Sequence, residues 1–435
     1  MKVAKFGGSS VADEHQIEKI KGIIEGDSEI RYVIVSAPGK RNPDDTKITD
    51  LLYLIKTHQE HQIPYDQVFE TICGRFRNVA QSLNVDINLD EEFAEIRKQI
   101  EDGASVDYIA SRGEYLNARL IASYLGWEFV DAASVIRFNE KGRFMEDLTD
   151  QYIRDILKDK DQVVIPGFYG SRVDGSIKTF SRGGSDISGA IVARAVGADV
   201  YENWTDVSGF LMADPRIVKN PKPIKSISYM ELRELSYMGA SVLHEDAIYP
   251  AKVENIPINI RNTNKPQDPG TMITADVQVD EGSIISGIAG KRDFTVIGIY
   301  KSHLAGEKGF IRKLAGIMED NDITIEHLPT GIDTMSVVID NKMLDGKLDD
   351  IIDEIERQLK PDTIEVFEDM ALIATVGAGM AARKGTSARL FGALAAADVN
   401  IRMIDQGSSE MNIIVGVQNR DFEEAIRAIY GAFVS

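Results

Sequence analysis

Cysteine is almost missing: Cys73 is the only one in 435 residues. One thiol closes no disulfide within the chain and cannot build a thiolate zinc site, so Cys73 reads as a small buried thiol. Long apolar runs are missing too. Nowhere do about 18 consecutive apolar residues occur, so no membrane-spanning helix is expected. The six histidines, His15, His58, His61, His244, His303 and His327, show no HExxH or related spacing, and no metal site is expected from them. Positive charge is in deficit: 49 Lys and Arg stand against 69 Asp and Glu, a formal net charge of −20. Nucleic acid and anionic membranes are polyanions and therefore poor partners. The N-terminus runs straight into MKVAKFGG, with no basic stretch ahead of an apolar segment, so no secretory leader is expected and the expected location is cytoplasmic. What is present is ordinary globular composition, 43% apolar and 27% charged. It suffices for more than one core, about three domains at ~150 residues each.

Up to about residue 265, short β-rich runs (2–6, 31–36, 162–165, 199–204) alternate with helical patterns (13–24, 113–125, 186–196). Near-continuous apolar strands between helices predict an α/β domain with a mainly parallel sheet. Segment 46–100 breaks the alternation and reads as a helical insertion, and NTNKPQDPG (262–270) is loop chemistry near the end of this domain. The last 140 or so residues repeat themselves. VIGIYKSHLAGEKGFIRKLAGIMEDNDITIEHL (296–328) aligns without gaps with LIATVGAGMAARKGTSARLFGALAAADVNIRMI (372–404). Each copy predicts strand, Gly-containing loop, helix and short strand, then a third strand (334–339, 410–417) and a second helix (348–359, 422–433), the outline of a ferredoxin-like module.

Four segments carry chemistry. KFGGSSV (5–11) puts Lys5, Gly7, Gly8 and Ser9 at a strand-to-helix turn, where backbone amides approach an anion closely. It is no Walker A loop, since the Lys precedes the glycines; the plain alternative is a tight turn with a Ser10–Asp13 helix cap. SRGGSDISGAIVA (181–193) is a second such turn, with Arg182, Ser185 and Asp186, where Asp186 either caps its helix or holds cations in position. NWTDVSGFLMADPR (203–216) runs from a strand into an acidic loop that is either turn chemistry or a nucleotide cradle. In RGEYLNARL (112–120), Glu114 sits where a helix dipole favours an acid.

Taken in this order, with VSAPGK (35–40), ASVLHEDA (240–247) and the C-terminal repeat, these segments resemble aspartate kinase, of the amino acid kinase superfamily. The resemblance covers essentially the whole chain. It implies an amino acid kinase-type α/β domain over 1–280, its mainly parallel sheet sandwiched by helices, then two ferredoxin-like ACT modules over 281–365 and 366–435. It also implies transfer of the ATP γ-phosphoryl group to the β-carboxylate of L-aspartate, the first step towards lysine, threonine and methionine, with Mg²⁺ entering on the nucleotide. By resemblance, Lys5, Gly7, Gly8 and Ser9 serve the phosphates, and Lys5 and Asp186 are catalytic. Thr49, Glu114, Phe168, Arg182 and Ser185 match aspartate-contacting positions, with Arg182 on the α-carboxylate and Glu114 on the α-ammonium. Thr205, Asp206, Phe210, Arg216 and Lys265 match nucleotide positions. Leu304, Glu307, Gly309, Phe310, Glu326 and Thr330 match the effector stretch, for lysine or threonine, with lysine favoured by the two acids. A homodimer or higher homo-oligomer through the ACT modules is implied as well.

Three positions depart from the family pattern. Phe210 stands where Tyr is common and keeps an aromatic face for base stacking; RNPDDTK (41–47) is inserted before Thr49; Glu245 replaces a usual Pro. Competing readings are another acceptor (glutamate, N-acetylglutamate or a nucleoside monophosphate) and an amino-acid sensor with a dead kinase domain. Glu114, which wants a free ammonium, and the joint presence of Lys5, Arg182 and Asp186 speak against them.

Overall fold

The computed structural model describes residues 1–181, 183–240, 243, 245–275, 284–381 and 383–434, with only the backbone of Glu245 and Asp246. Arg182 and the Glu245 side chain lie outside the described residues. Two compact units are present, Met1–Phe210 with Pro223–Met230 and Val242–Val277, and Leu211–Lys222 with Glu231–Ser241 and Gln278–Ser435.

The first unit is built on an eight-stranded sheet in the order Glu128–Phe129, Val163–Pro166, Ile30–Val35, Lys2–Phe6, Val200–Thr205, Ile258–Asn262, Thr271–Thr274, Ser226–Ser228. The central strands KVAKF and IRYVIV are buried along nearly their whole length, as parallel strands covered on both faces must be. All pairings are parallel except that of Ile258–Asn262 with Thr271–Thr274. The loop 262–270 therefore does not end the sheet; it turns the chain back into one more strand.

Register decides where a site can form. Phe6 pairs with both Val35 and Trp204, Val35 with Pro166, and Asn262 with Thr205. The carboxyl ends of five parallel strands thus come level at one edge of the sheet, where ligands bind in open α/β folds.

Helices Glu14–Glu25, Val106–Leu125 and Gly184–Val196 match the three expected ones, the second with an earlier start. Ser105 caps that helix, its side chain accepting from Tyr108 N–H at 3.2 Å, so the helix begins ahead of the apolar stripe that predicted it. The insertion folds as helices Ile48–Glu60, Asp66–Ser82 and Leu89–Glu101, packed through Leu52, Ile55, Phe69, Ile72, Phe76 and Phe93. Cys73 is fully buried there and its thiol is pushed up to about 12 by desolvation, as an inert core thiol. Among the described residues no helix is long and apolar enough to cross a membrane.

The second unit carries an antiparallel five-stranded sheet in the order Thr334–Asp340, Gly287–Tyr300, Thr363–Val376, Asn412–Gln418, Met403–Asp405. The repeat is visible in it: helices Phe310–Asp320 and Leu348–Leu359 belong to the first copy, Thr386–Ala396 and Phe422–Val434 to the second. The copies share their two long strands. Gly287–Lys291 pairs with Leu372–Val376 and Phe294–Tyr300 with Thr363–Met370, the register slipping between them, beside positive-φ Asp293 and Asp369. A cut at 365 hence falls inside a single strand. The short strand expected after Asn321-Asp322 is reduced to isolated bridges, His327 to Val338 and Thr330 to Met335. A cut at 280 is also incomplete, because segments 211–222 and 231–241 are built into this unit. Ile288 N–H donates to Met212 O at 2.7 Å, Lys222 N–H to the Tyr430 hydroxyl at 2.8 Å and Asn412 Nδ2 to Glu234 Oε2 at 2.6 Å.

Candidate active site

The KFGGSSV turn leaves the sheet at the buried central strand Lys2–Phe6. Lys5 is 6% exposed and its Nζ lies 2.5 Å from Asp186 Oδ1. A Cβ on Gly7 would sit 3.3 Å from that ammonium, so the cation lies directly against the glycine turn. Gly7 N–H donates to Trp204 O at 3.0 Å, and the Ser10 hydroxyl meets the Thr263 hydroxyl at 2.8 Å. The pair of glycines opens into one 3-10 turn, Gly8–Val11, and the α-helix starts only at Glu14, capped by Asp13 accepting from Gln16 N–H at 2.9 Å. Ser10 is therefore not the cap that the S-x-x-D pattern suggests. Ser9 is exposed.

The second glycine turn is shaped by close packing. Gly183 adopts φ 70° ahead of helix Gly184–Val196, and a Cβ on Gly184 would come within 2.6 Å of the Phe168 ring. Phe168 itself holds φ 78°, a costly backbone state for a bulky residue. It is kept there by its N–H donating to Ser188 Oγ at 3.0 Å and its carbonyl accepting from Phe180 N–H at 2.8 Å. Ser185 is 9% exposed in the first helical turn, beside Gly167. Asp186 follows, its Oδ1 also accepting from Asn203 Nδ2 at 2.8 Å and its carbonyl from the Tyr201 hydroxyl at 3.0 Å. The Asp186 carboxylate is thus held by an amide and a lysine from two neighbouring strands.

Glu114 is buried in the middle of helix Val106–Leu125, not in its first turn where the dipole would favour it, and its Oε2 has no hydrogen-bond partner among the described residues. Desolvation pushes the carboxyl up to about 8, while a backbone hydrogen bond from Ala37 and the Arg112 charge pull the other way. Gly113 lets this helix approach closely: a Cβ there would lie 2.8 Å from Ala37 Cβ. Thr49 is half-buried in the first turn of Ile48–Glu60.

On the nucleotide side, Thr205 ends its strand with its hydroxyl 3.2 Å from Asp206 Oδ1, and Thr263 N–H donates to Thr205 O at 2.9 Å. Lys265 is exposed in the same loop cluster. Phe210 departs from expectation: it is 3% exposed, its N–H donated to Thr271 Oγ1 at 2.8 Å, and its ring offers no open face to a base. Arg216 belongs to the second unit, where it is 88% exposed and holds Asp214 with two nitrogens at 2.6–3.0 Å. The structure thus brings Lys5, Gly7, Gly8, Asp186, Thr205 and the 262–265 loop to one edge of the sheet. Arg182 lies outside the described residues.

Sequence reasoning missed Asn203, Thr263 and Ala37. Asn203, like Glu202 beside it, is a polar residue in a buried central strand, a detectable signal; the other two carry none.

The expected effector stretch is mixed. Leu304 and Phe310 are core residues, 4% and 2% exposed, packed with Leu314 and Val337, so their side chains serve the fold rather than a ligand. Gly309, at φ 82°, precedes helix Phe310–Asp320. Glu307 pairs with Lys301 at 2.5 Å and Lys313 at 3.8 Å, which holds its carboxyl below the usual range. Glu326 accepts from the Tyr237 hydroxyl at 2.6 Å, and Thr330 is exposed.

Two glycine turns framing a lysine–carboxylate pair at the carboxyl ends of a parallel sheet are the arrangement of a phosphoryl-transfer enzyme, and the Amino acid kinase family model matches residues 1–262. The ACT domain model matches residues 373–433, the second copy of the repeat. Aspartokinase 3 of Bacillus subtilis (strain 168) is 37% identical over 449 aligned residues, covering 100% of this chain and 98% of that protein. The aspartate kinase of Clostridium acetobutylicum, an allosteric enzyme, superposes with a TM-score of 0.93 at 55% identity over 99% of both chains. E. coli aspartokinase III shares the fold at 24% identity over 100% of both chains, with TM-score 0.74 for its complex with aspartate and ADP and 0.76 for that with lysine and aspartate. The chain belongs to the aspartokinase family, enzymes of the amino acid kinase fold.

Proposed function

We propose that this chain transfers the γ-phosphoryl group of ATP to the β-carboxylate of L-aspartate, giving 4-phospho-L-aspartate, the entry to lysine, threonine and methionine synthesis. The observation that carries this reading is the buried Lys5 ammonium, fixed by Asp186 against the Gly7 turn. A carboxylate acceptor is already ionised at neutral pH, so no base has to activate it. A carboxylate oxygen attacks the γ-phosphorus as the bond to the bridging oxygen breaks and ADP departs. The task is to align two anions and to stabilise charge on the phosphoryl oxygens. Lys5 and the amides of Gly7 and Gly8, with Ser9, serve the phosphates; Mg²⁺ enters as part of the Mg-ATP substrate. Thr205, Asp206 and Lys265 serve the nucleotide. Glu114 receives the α-ammonium, for which an oxygen without a hydrogen-bond partner among the described residues is suited, while Arg182 takes the α-carboxylate and Thr49, Phe168 and Ser185 line the pocket.

The C-terminal repeat acts as the regulator, with lysine the favoured effector through Glu307 and Glu326 and a second copy of the chain pairing through these modules. The E. coli enzyme's complexes with ADP, aspartate and lysine support the same ligands here. The test is ADP release from Mg-ATP with L-aspartate, L-glutamate or N-acetylglutamate as acceptor. Only aspartate is expected to support rapid turnover, and added lysine to slow it. Turnover with N-acetylglutamate and none with aspartate would overturn the assignment.

A further inference from the structure

Segment 36–48 leaves the Ile30–Val35 strand as a strap across the Gly7-Gly8 turn. Three backbone hydrogen bonds seat it: Ser36 N–H to Phe6 O at 3.1 Å, Gly39 N–H to Gly8 O at 2.8 Å and Ile48 N–H to Pro38 O at 3.2 Å. The fit is tight, for a Cβ on Gly39 would come within 2.7 Å of the Gly8 carbonyl. Thr49 follows directly. Between its ends the strap is polar and mostly exposed, so it buries little apolar surface to hold itself down.

What fastens it comes from the helical insertion. Arg75 is 7% exposed on helix Asp66–Ser82. Its Nη2 donates to Gly39 O at 2.8 Å and its Nη1 to Thr46 O at 2.8 Å, closing both ends of the strap with one guanidinium. Nη1 also lies 3.5 Å from Asp45 Oδ2, a carboxylate already held by Arg41 Nε at 2.8 Å and Nη2 at 3.0 Å. The inserted RNPDDTK thus supplies the counterion of the group that clamps it. A planar fork spans two carbonyls in this way; a lysine ammonium is a single point charge and does not.

We propose that Arg75 is a positioning residue for phosphoryl transfer: by closing the strap it sets Gly39 against the Gly8 turn and Thr49 in register with it. The inference rests on the aspartate kinase reading of the site. The test compares Arg75→Gln, Arg75→Lys and Gly39→Ala in the full chain, the last lifting the strap from its other side without touching the arginine. Misplacing a reacting group by about 1 Å costs ~100-fold, so kcat is expected to fall ~10- to 100-fold in all three, more than KM changes. The Lys variant is expected to give no rescue. Amide exchange at Gly39 and Ile48 is expected to accelerate in Arg75→Gln while the Lys2–Phe6 strand stays protected. Unchanged exchange at those two amides, or a folded Arg75→Gln enzyme with wild-type kcat, overturns the proposal alone. Absence of aspartate-dependent turnover in the wild-type chain brings down the active-site reading on which it rests.

Discussion

Replacing Lys5 with alanine is expected to lower kcat at least ~100-fold, the typical loss when one preorganised stabiliser of transition-state charge is removed. The geometry explains why the loss falls on the chemical step. The ammonium is held in place before any substrate arrives, paired with Asp186 at 2.5 Å, and Asp186 is in turn held by Asn203 at 2.8 Å. In the proposed role of Lys5, no reorganisation is needed as charge builds on the phosphoryl oxygens. The substitution also strands a largely buried carboxylate, and breaking a buried ion pair costs about 3–5 kcal/mol. Thermal unfolding should therefore accompany the kinetics, and Lys5→Ala with Asp186→Asn should recover stability without recovering rate. A folded Lys5→Ala enzyme with near-normal kcat would remove Lys5 from the mechanism.

The second large effect concerns Glu114. Desolvation pushes its carboxyl up to about 8 in the unliganded protein, so below that pH it is mostly protonated, whereas an ammonium ligand needs it ionised. In the proposed role of Glu114, aspartate binding expels a proton, and KM for aspartate should fall ~tenfold per pH unit between pH 6 and 8 and level off above. Glu114→Gln should abolish this slope and raise KM at least ~30-fold above the wild-type plateau, the lower end of the about 2–5 kcal/mol for truncating a buried charge pair. The sign for stability follows from the same shift. A carboxyl raised above its ordinary 4.5 binds more protons folded than unfolded, so its contribution is complete below pH 4.5 and lost as pH rises through about 8. Urea unfolding of the wild-type and Gln proteins across that range measures it. A pH-independent KM in the wild-type protein would contradict the role of Glu114.

Much of the site was legible because its chemistry is local in the chain. Lys5, Gly7 and Gly8 lie within four residues and Ser185 and Asp186 are adjacent, and glycine pairs between strand and helix signal a close backbone approach. The alternation of strands and helices and the C-terminal repeat were legible for the same reason. Arg75 was not, although it breaks the apolar stripe of Ile72, Phe76 and Val79, because its partners Gly39 and Thr46 lie 36 and 29 residues away in sequence. Phe210, Leu304 and Phe310 failed differently. Their motifs mark ligand loops, yet each side chain turns into a core, and only packing decides which way a loop aromatic or leucine faces.

The deficit of positive charge also takes on a local meaning. A net −20 discourages polyanions over the whole surface. It does not reach a lysine that is 6% exposed and enclosed by two glycine turns, and that enclosure is where ATP and aspartate are proposed to meet.

The most direct test is chemical trapping. The chain is incubated with Mg-ATP, L-aspartate and hydroxylamine, and the product is analysed for aspartyl β-hydroxamate, which forms when hydroxylamine captures an acyl phosphate. Hydroxamate dependent on both ATP and aspartate is the predicted result. No hydroxamate with aspartate, together with a signal from another carboxylic acid, would contradict it.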